Sequence, residues 1–388
     1  MSQAPTLPAM SADETRAVRE AVRGFMETHA SEQEVRRLAD TEGGYERSTW
    51  LRASNELGLA GLCVPERFDG SGLPLEALDI VQREAGRALC SLPILSSAVL
   101  ATRVLLASDD ESAQAEWLPR LSTGQSTATV AFLEPGYDWE RHPSRVTATA
   151  DGDSARLSGT KTPVLDGGTA DLLIVSATDS DGISLYLVEA DAAGLRRSPL
   201  ATMDITRKQC RVDLDDVAAR RLGPGGNAAT VLAEAVDHAR IALACEQLGG
   251  AEFCVDLTVD YVRQRHQFGR PIGSFQAIKH RCADLLVELE RARSAVHYAV
   301  SQVDGGDGGG GDVDGRGDLA EAAALAASCC GDVFTKVAAE TIQLHGGIGV
   351  TWEHPAHLYF RRAHSDAALL GSAASQRARL VRGALDLL

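Results

Sequence analysis

Apolar residues recur at helical spacing through the first third of the chain. In the stretch SADETRAVREAVRGFMETHA, which starts at Ser11, apolar side chains return at Val18, Val22 and Phe25, the spacing that predicts one face of an α-helix. Ser11 followed by Glu14 is a capping-box pattern, which marks a helix start. Further helical runs are predicted at residues 46–58, 75–90 and 95–107. We therefore expect an N-terminal all-α domain over residues 1–126.

The pattern changes near Thr127, where short runs of β-branched and apolar residues replace the helical spacing. The stretches STATVAFLEP and ADLLIVSATDSDGISLYLVEA are examples. The pairs Asp151-Gly152 and Asp181-Gly182 favour two-residue hairpin turns between such runs. These features predict a middle antiparallel β domain over residues 127–222.

Long helical patterns return in the last part of the chain. They cover residues 227–262, 274–302 and 318–345. A Gly/Asp tract at 304–318 lies between the second and the third, and its composition predicts an exposed loop that joins two antiparallel helices. We expect a C-terminal four-helix bundle over residues 223–388, and an α+β fold for the whole chain.

Composition and charge exclude several classes of function. The 388 residues carry a formal net charge of −16, whereas proteins that bind nucleic acid or anionic membranes are usually basic. The eight cysteines are scattered without the spacing of a zinc site. The N-terminus lacks the pattern of a signal peptide, and no run reaches the ~18 consecutive apolar residues that predict a membrane-spanning helix. We therefore expect a cytoplasmic protein without a metal centre.

One segment departs from this acidic background. RQRHQFGRPIGSFQAIKHR, residues 263–281, contains no acidic residue. Its cationic residues are Arg263, Arg265, Arg270, Lys279 and Arg281. A local basic cluster in an acidic chain indicates a small anionic ligand, with a solvated surface as the alternative.

Three stretches, in order along the chain, resemble motifs of the acyl-CoA dehydrogenase family of flavoenzymes. They are ELGLAGLCVPERFDGSGLP, RQRHQFGRPIGSFQAIKH and IQLHGGIGVTWEHPAHLYFRRA. The likeness extends from about residue 12 to about residue 380 and agrees with the order of helices, β block and bundle. It implies the acyl-CoA dehydrogenase fold, FAD as cofactor and an acyl-CoA substrate desaturated between its α and β carbons. It also implies an electron-transfer flavoprotein as a partner.

In this family the second and third motifs contact the pyrophosphate and adenosine of an FAD that a neighbouring subunit mainly binds. The resemblance implies a set of cofactor-binding residues in this chain: Arg265, His266, Gln267, Phe268, Gln276, Gln343, His345, Gly346, Gly347 and Gly349. Arg265 would face the pyrophosphate, because a guanidinium can pair with two phosphoryl oxygens. The glycines would let backbone N–H groups approach the cofactor. Taken alone, they are equally typical of the turn that ends a helix.

The carboxylate that serves the family as catalytic base is missing from both positions where the resemblance predicts it. The first position precedes Gly371 and is occupied by Leu370. The second precedes Arg240 on the first long C-terminal helix and is occupied by Ala239. Neither side chain can accept a proton. Arg240 itself is either a substrate- or CoA-supporting residue or a brace within the bundle.

Residues that the family places around the isoalloxazine are also replaced. The family loop Thr-Glu-Pro-Gly-x-Gly-Ser-Asp corresponds to LEPGYDWER, so Glu134 is kept while Leu133 replaces threonine. A Trp-Ile-Thr run corresponds to Pro163, Val164 and Leu165. Neither Pro163 nor Leu165 can stack like an indole or donate a side-chain hydrogen bond. The motifs that grip a neighbour's FAD are therefore kept, while those that hold the chain's own flavin ring are lost.

Three hypotheses follow. The first is a subunit of a heteromeric acyl-CoA dehydrogenase, resembling the base-lacking subunit of actinobacterial α2β2 enzymes that act on steroid side-chain CoA thioesters. The second is a self-sufficient homo-oligomer with a displaced base. For that role Glu246 is the candidate, although it lies on a different helix face from Arg240 and is alternatively a buried, paired carboxylate. The third is a non-catalytic structural or regulatory paralogue without flavin.

Overall fold

The computed structural model describes residues 10–136, 139, 144–151, 154–304 and 316–386. The predicted capping box is confirmed: the Ser11 N–H donates to Glu14 Oε2 at 2.8 Å, and the Glu14 N–H donates to Ser11 Oγ at 3.3 Å. The first helices are α1 (Ala12–His29), α2 (Glu32–Ala39), α3 (Arg47–Leu57), α4 (Leu75–Arg87), α5 (Thr102–Leu106) and α6 (Glu111–Ser122). A π-helical segment, Ile94–Ala101, leads directly into α5. The predicted helical runs at 46–58, 75–90 and 95–107 are thus present to within a few residues.

Seven strands follow and form one sheet. They are β1 (Ala128–Ala131), β2 (Thr147–Asp151), β3 (Ser154–Leu165), β4 (Leu172–Asp179), β5 (Gly182–Glu189), β6 (Leu195–Pro199) and β7 (Gln209–Leu222). The pairings β4–β2, β2–β3, β3–β7, β7–β5 and β5–β4 run in a closed circle, which makes this part of the sheet a small barrel. A hairpin is present at the predicted Asp181-Gly182 signal, but the turn lies one residue earlier: Asp179 pairs with Gly182, so Ser180 and Asp181 form the turn. Gly152, in the other predicted turn, lies outside the described residues.

The prediction of a purely antiparallel β domain was wrong in one respect. Strand β1 pairs with β4 in parallel, from Ala128 opposite Leu172 to Ala131 opposite Val175, and β2 also meets β4 in parallel at one residue pair. Parallel neighbours need a long connection, and β1 and β4 are separated by β2 and β3. Hairpin turns can be recognised from short sequence patterns, whereas a pairing across such a connection cannot.

The last part of the chain is helical, as predicted. Its elements are α7 (Ala228–Gln264), a short hairpin of β8 (His266–Gln267) and β9 (Arg270–Pro271), α8 (Gln276–Asp304), α9 (Arg316–His345), α10 (Ala356–Asp366) and α11 (Ala373–Asp386). Most of the Gly/Asp tract predicted as a loop lies outside the described residues.

By the density of its internal contacts, the chain divides into two compact units. The sheet unit comprises Arg36–Leu78 and Ser91–Ala239. The bundle unit comprises Met1–Val35, Asp79–Cys90 and Arg240–Leu388. The three-domain division at residues 126 and 222 stays an interpretation of the sequence.

Two glycines let α4 and α7 touch backbone to backbone in the bundle unit. A Cβ atom at Gly86 would lie 1.9 Å from the Glu246 carbonyl oxygen, and one at Gly249 would lie 1.9 Å from the Arg83 carbonyl oxygen. A Cβ at the next residue, Gly250, would lie 2.6 Å from the Phe334 ring of α9. Any side chain at these positions would force the helices apart, so the crossing fixes where α7 lies between α4 and α9.

Helix α9 forms much of the centre of the bundle unit. The segment Leu319–Val350 is long and apolar enough to cross a membrane by length and composition, and 61% of its most apolar stretch is buried inside the protein. A buried core helix of this kind passes the same test as a membrane-spanning one. The described residues contain one such segment.

A buried ion pair holds the sheet unit together at the start of the LEPG loop. Lys161 Nζ lies 2.6 Å from Glu134 Oε1 and 3.0 Å from Ser176 Oγ, and both charged side chains are almost fully buried. Glu134 also accepts the backbone N–H groups of Arg145, at 2.8 Å, and Val146, at 3.2 Å. Burial lowers the pKa of Lys161 to about 8. Glu134 therefore joins the two ends of the segment between residues 134 and 145.

We expect Lys161→Met to lower the free energy of unfolding by about 3–5 kcal/mol, because it leaves the Glu134 carboxylate buried without its cation. Denaturant unfolding followed by fluorescence measures the loss. Arg52→Met is the matched control: Arg52 pairs with Glu56 at the surface, and such a pair contributes about 0–1 kcal/mol. Equal stability of the two variants would contradict the role assigned to the buried pair.

Candidate functional site

The β8–β9 hairpin presents an aromatic side chain to the outside of the bundle unit. His266 pairs with Pro271 and Gln267 with Arg270, which leaves Phe268 and Gly269 at the tip with φ of 55° and 76°. Two positive φ values in a two-residue turn are typical of a type I′ hairpin. The geometry leaves Phe268 91% exposed. A phenylalanine held in this way buries little surface within its own chain and is available to another molecule.

The five cationic side chains of residues 263–281 differ in whether they contact other side chains of the bundle unit. Arg281 donates to Glu340 at 2.8 Å, and the Arg270 guanidinium lies 4.0 Å from the centre of the Phe275 ring. The remaining three, Arg263, Arg265 and Lys279, make no salt bridge within the part of the chain that the structure describes. Arg265 is exposed, and its position is fixed by its backbone, whose N–H donates to Tyr261 O at 2.8 Å and whose carbonyl accepts from Ile272.

The glycines after α9 differ in the structural reason for having no side chain. Gly346 has a φ of 63° and ends the helix, so the turn alternative accounts for it. A Cβ at Gly349 would lie 2.9 Å from Ile342 O, so close packing accounts for that position. A Cβ at Gly347 would meet nothing within 4 Å, and the backbone there does not have a positive φ. Internal packing gives no reason for glycine at position 347, which is consistent with an external group close to its backbone.

His345 carries an unpaired acceptor at the same end of α9. The side chain is 3% exposed, and Nδ1 lies 2.7 Å from Thr341 O. Because a carbonyl can only accept, Nδ1 carries the proton. Burial lowers the pKa of His345, so the ring is neutral near pH 7 and Nε2 is an acceptor. Nε2 has no hydrogen-bond partner among the described residues.

Tyr261 connects the two motif segments. Its ring stacks on His345 with centroids 4.4 Å apart, and its carbonyl accepts the Arg265 N–H. His354 packs on His345 at 4.5 Å. Sequence reasoning missed both supports, although Tyr261 lies one helical turn before Arg265 and could have been found by that spacing. Gln276 and Gln343 are exposed, and Gln276 Nε2 lies 3.0 Å from His280 Nε2.

These features fit the phosphate and adenosine part of FAD. Arg265 offers a cation without a salt bridge in the described part of the chain, His345 Nε2 offers a buried acceptor suited to a hydroxyl or amino group, and Gly347 offers exposed backbone. The exposed ring of Phe268 adds an apolar surface. FAD carries matching groups: anionic phosphates, hydroxyl and amino groups that donate hydrogen bonds, and a flat adenine ring.

The position where a base would stand is held in an unusual conformation. Leu370 has a φ of 59°, which is rare for a bulky side chain, and it is 1% exposed. Arg240 Nε donates to the Leu370 carbonyl at 2.8 Å, and Gln376 Nε2 approaches the same oxygen at 3.5 Å. Of the two roles that the sequence allowed for Arg240, the structure shows the bracing contact.

Glu246 forms a buried ion pair. Its Oε1 accepts from the Arg362 guanidinium, and the two side chains are 6% and 2% exposed. The backbone of Glu246 lies at the crossing of α4 and α7. This is the paired, buried carboxylate that the sequence offered as the alternative to a displaced base.

The residues that replace the isoalloxazine contacts are apolar and packed within the sheet unit. Val164 and Leu165 are buried on β3, and the Thr129 hydroxyl donates to the Leu165 carbonyl. Leu133 is 3% exposed, and its carbonyl accepts the Thr162 N–H at 2.9 Å. Tyr137 and the end of the LEPG loop, apart from Trp139, lie outside the described residues.

Two family models match the chain. The acyl-CoA dehydrogenase N-terminal domain matches residues 12–125, and the acyl-CoA dehydrogenase C-terminal domain matches residues 229–385. The acyl-CoA dehydrogenase IpdE2 of Mycobacterium tuberculosis is 36% identical over 93% of this chain and 94% of its own length.

Solved structures agree with these matches. The G363A variant of the Tcur3481-Tcur3483 steroid ACAD is 34% identical, with a TM-score of 0.84, over 96% of this chain and 98% of that one. A chain of the ChsE4-ChsE5 complex from Mycobacterium tuberculosis is 28% identical, with a TM-score of 0.83, over 96% of this chain and 97% of that one.

We expect Arg240→Ala to loosen the turn at Leu370, because the buried carbonyl loses its closest donor. The free energy of unfolding should fall by about 1–3 kcal/mol, and amide hydrogen exchange should rise at residues 369–372. Arg377→Ala, which removes an exposed arginine paired with Asp332, is the control and should leave both unchanged. Unaltered exchange at this turn in Arg240→Ala would show that the contact does not hold it.

Proposed function

The chain belongs to the acyl-CoA dehydrogenase family, and we propose that it is one subunit of a heteromeric member of it. In this proposal the complex desaturates an acyl-CoA thioester between the α and β carbons. The chain supplies contacts to the pyrophosphate and adenosine of an FAD that a sister subunit mainly binds, and the sister subunit supplies the base. The electrons pass to an electron-transfer flavoprotein, and the complex works in the cytoplasm.

One asymmetry carries the proposal. On the bundle unit, and within the described residues, the Arg265 side chain makes no salt bridge, His345 Nε2 has no hydrogen-bond partner, and Gly347 is exposed. The two positions for a base instead hold Leu370 and Ala239, both buried and apolar. A chain that keeps the groups for a cofactor's phosphates and lacks a proton acceptor is suited to completing another subunit's site.

The chain's residues would act by binding and orientation. Bound FAD supplies the acceptor for the hydride that leaves the β carbon. Arg265 would neutralise the pyrophosphate, while His345 Nε2 would accept a hydrogen bond from a ribose hydroxyl or the adenine amino group. Phe268 would cover the adenosine and exclude water from it.

The related proteins support a steroid substrate and a heteromeric assembly. One similar structure is a steroid ACAD named by two components, Tcur3481 and Tcur3483, and another is the ChsE4-ChsE5 complex. We therefore propose a CoA thioester of a steroid side chain as the substrate and an α2β2 assembly as the active form.

The displaced-base hypothesis requires Glu246 to take up a proton. Its carboxylate is engaged with Arg362 in a buried pair, so protonation would remove the negative charge that this buried cation faces at Glu246. A non-catalytic paralogue without flavin would have no use for an exposed Arg265 without a salt bridge in the described part of the chain, or for an exposed glycine at position 347.

Co-expression with a sister chain tests the assembly. The complex should carry about half the flavin per chain that a homo-oligomer carries, and this chain expressed alone should be colourless. Absorbance of flavin against total protein gives the ratio. A yellow homo-oligomer that oxidises acyl-CoA at a normal rate would contradict the proposal, and so would a colourless complex.

Arg265→Ala in this chain should lower the affinity of the complex for FAD by about ten- to a hundredfold, because a charge-assisted contact to the pyrophosphate is lost. Flavin fluorescence during dialysis measures the release. Arg291→Ala is the matched control, since Arg291 is an exposed arginine of α8 paired with Glu288. Retention of FAD by both variants would remove Arg265 from the cofactor site.

Glu246→Gln should leave the rate of α-proton abstraction by the FAD-loaded complex close to that of the unmodified protein. Exchange of the substrate α-proton with solvent deuterium reports this step directly. Glu252→Gln, a buried glutamate of the same helix held by Arg83 and Arg293, controls for the loss of a buried charge. Loss of exchange in Glu246→Gln alone, with FAD still bound, would establish the displaced base.

A further inference from the structure

Two cations of residues 263–281 take no part in the proposed flavin contacts. Arg263 and Lys279 both line a cavity of about 380 Å³ in the bundle unit. Its walls are formed by the end of α7, the segment after β9 and the start of α8, with lining residues Val259, Val262, Arg263, Pro271, Gly273, Ser274, Ile278, Lys279 and Cys282. The volume lies within the range of about 300–1,000 Å³ in which proteins hold small organic ligands.

The polar groups of this cavity favour an anion. Its lining contains no acidic side chain, and neither Arg263 nor Lys279 has a salt-bridge partner in the described part of the chain. Ser274 Oγ is buried and has no hydrogen-bond partner among those residues. Helix α8 starts at Gln276, two residues later, so the positive end of its dipole faces the same region.

The cavity is lined by residues other than those assigned to FAD. Arg263 lies in the last turn of α7, whereas Arg265 follows the helix and precedes β8. On α8, Ile278, Lys279 and Cys282 line the cavity, whereas Gln276 and His280 contact each other. Ile278 and Cys282 lie about 160° around the helix from Gln276 and His280, and Lys279 lies between them, one helical turn from Gln276.

We propose that this cavity is a second anion site and that it binds the phosphate monoester of an organic molecule. The phosphate lies between Arg263 and Lys279 and accepts a hydrogen bond from the Ser274 hydroxyl. The apolar part of the ligand packs on Val259 and Ile278. Such a group occurs in coenzyme A as its 3′-phosphate and in nucleoside monophosphates, whereas the phosphates of FAD form a pyrophosphate diester. The site is therefore distinct from the cofactor site of the proposed function.

Calorimetric titration of the FAD-loaded complex with inorganic phosphate, AMP, coenzyme A and 3′-dephospho-coenzyme A tests the proposal, with the flavin site already filled. Inorganic phosphate and at least one of the two larger monoesters should bind, and the larger one more tightly. The double variant Arg263→Gln/Lys279→Gln should weaken this binding by about tenfold or more, and Ser274→Ala by less.

The matched control is Arg291→Gln/Lys336→Gln. It removes the same two kinds of charge from the bundle unit, but both side chains are engaged with Glu288, so phosphate binding should persist. Equal loss of binding in the control would show general attraction by positive charge and would overturn the site. Full binding in the double variant, or no binding of phosphate and AMP by the unmodified complex, would overturn it too.

The two coenzymes identify the source of the monoester. Tighter binding of coenzyme A than of its 3′-dephospho form, with the difference abolished by Arg263→Gln/Lys279→Gln, assigns the site to a coenzyme A 3′-phosphate. Binding of AMP without such a difference assigns it to a separate phosphorylated metabolite. Equally tight binding of both coenzymes with no binding of AMP would show that a monoester is not required, which contradicts the proposal.

Discussion

The contact of two helix backbones at Gly86 and Gly249 is the constraint on which the bundle unit depends. With no side chain between them, α4 and α7 approach until each glycine meets a carbonyl oxygen of the other helix. This contact fixes the position of α7, and α7 carries Arg240, Glu246 and Tyr261 to their partners. The polar contacts that α7 makes therefore depend on the close packing of its backbone against α4.

Geometry and chemistry have been kept to different extents in this chain. Arg240 donates a hydrogen bond to the Leu370 carbonyl and so holds this turn, although a leucine side chain cannot accept a proton as a carboxylate can. Glu134 likewise has buried contacts with Lys161, beside a loop whose sequence departs from the family pattern. Both contacts stabilise the fold whether or not a reaction takes place, because removing one partner of a buried polar pair is costly in any folded protein.

Features encoded by neighbouring residues could be predicted, and those encoded by distant ones could not. The cap formed by Ser11 and Glu14 lies within a few residues and could be predicted from the sequence, and the β4–β5 hairpin could be predicted to within one residue of its turn. The parallel pairing of β1 with β4 and the contact of Arg240 with a carbonyl 130 residues away depend on the folded chain.

The candidate site shows the same division. The motif that contains Arg265 and the glycines after α9 could be recognised from the sequence alone. The tautomer of His345, and the difference between Gly347 and its neighbours Gly346 and Gly349, follow only from their surroundings.

The apolar character of α9 has a consequence for biosynthesis. A helix that could pass for a membrane segment would be hazardous if it left the ribosome before anything could cover it. In this chain α7 and α8 precede α9, whereas α10 and α11, which also pack on it, follow it. Part of the surface that covers α9 has therefore been synthesised when this apolar helix emerges, and the rest is completed by the last two helices.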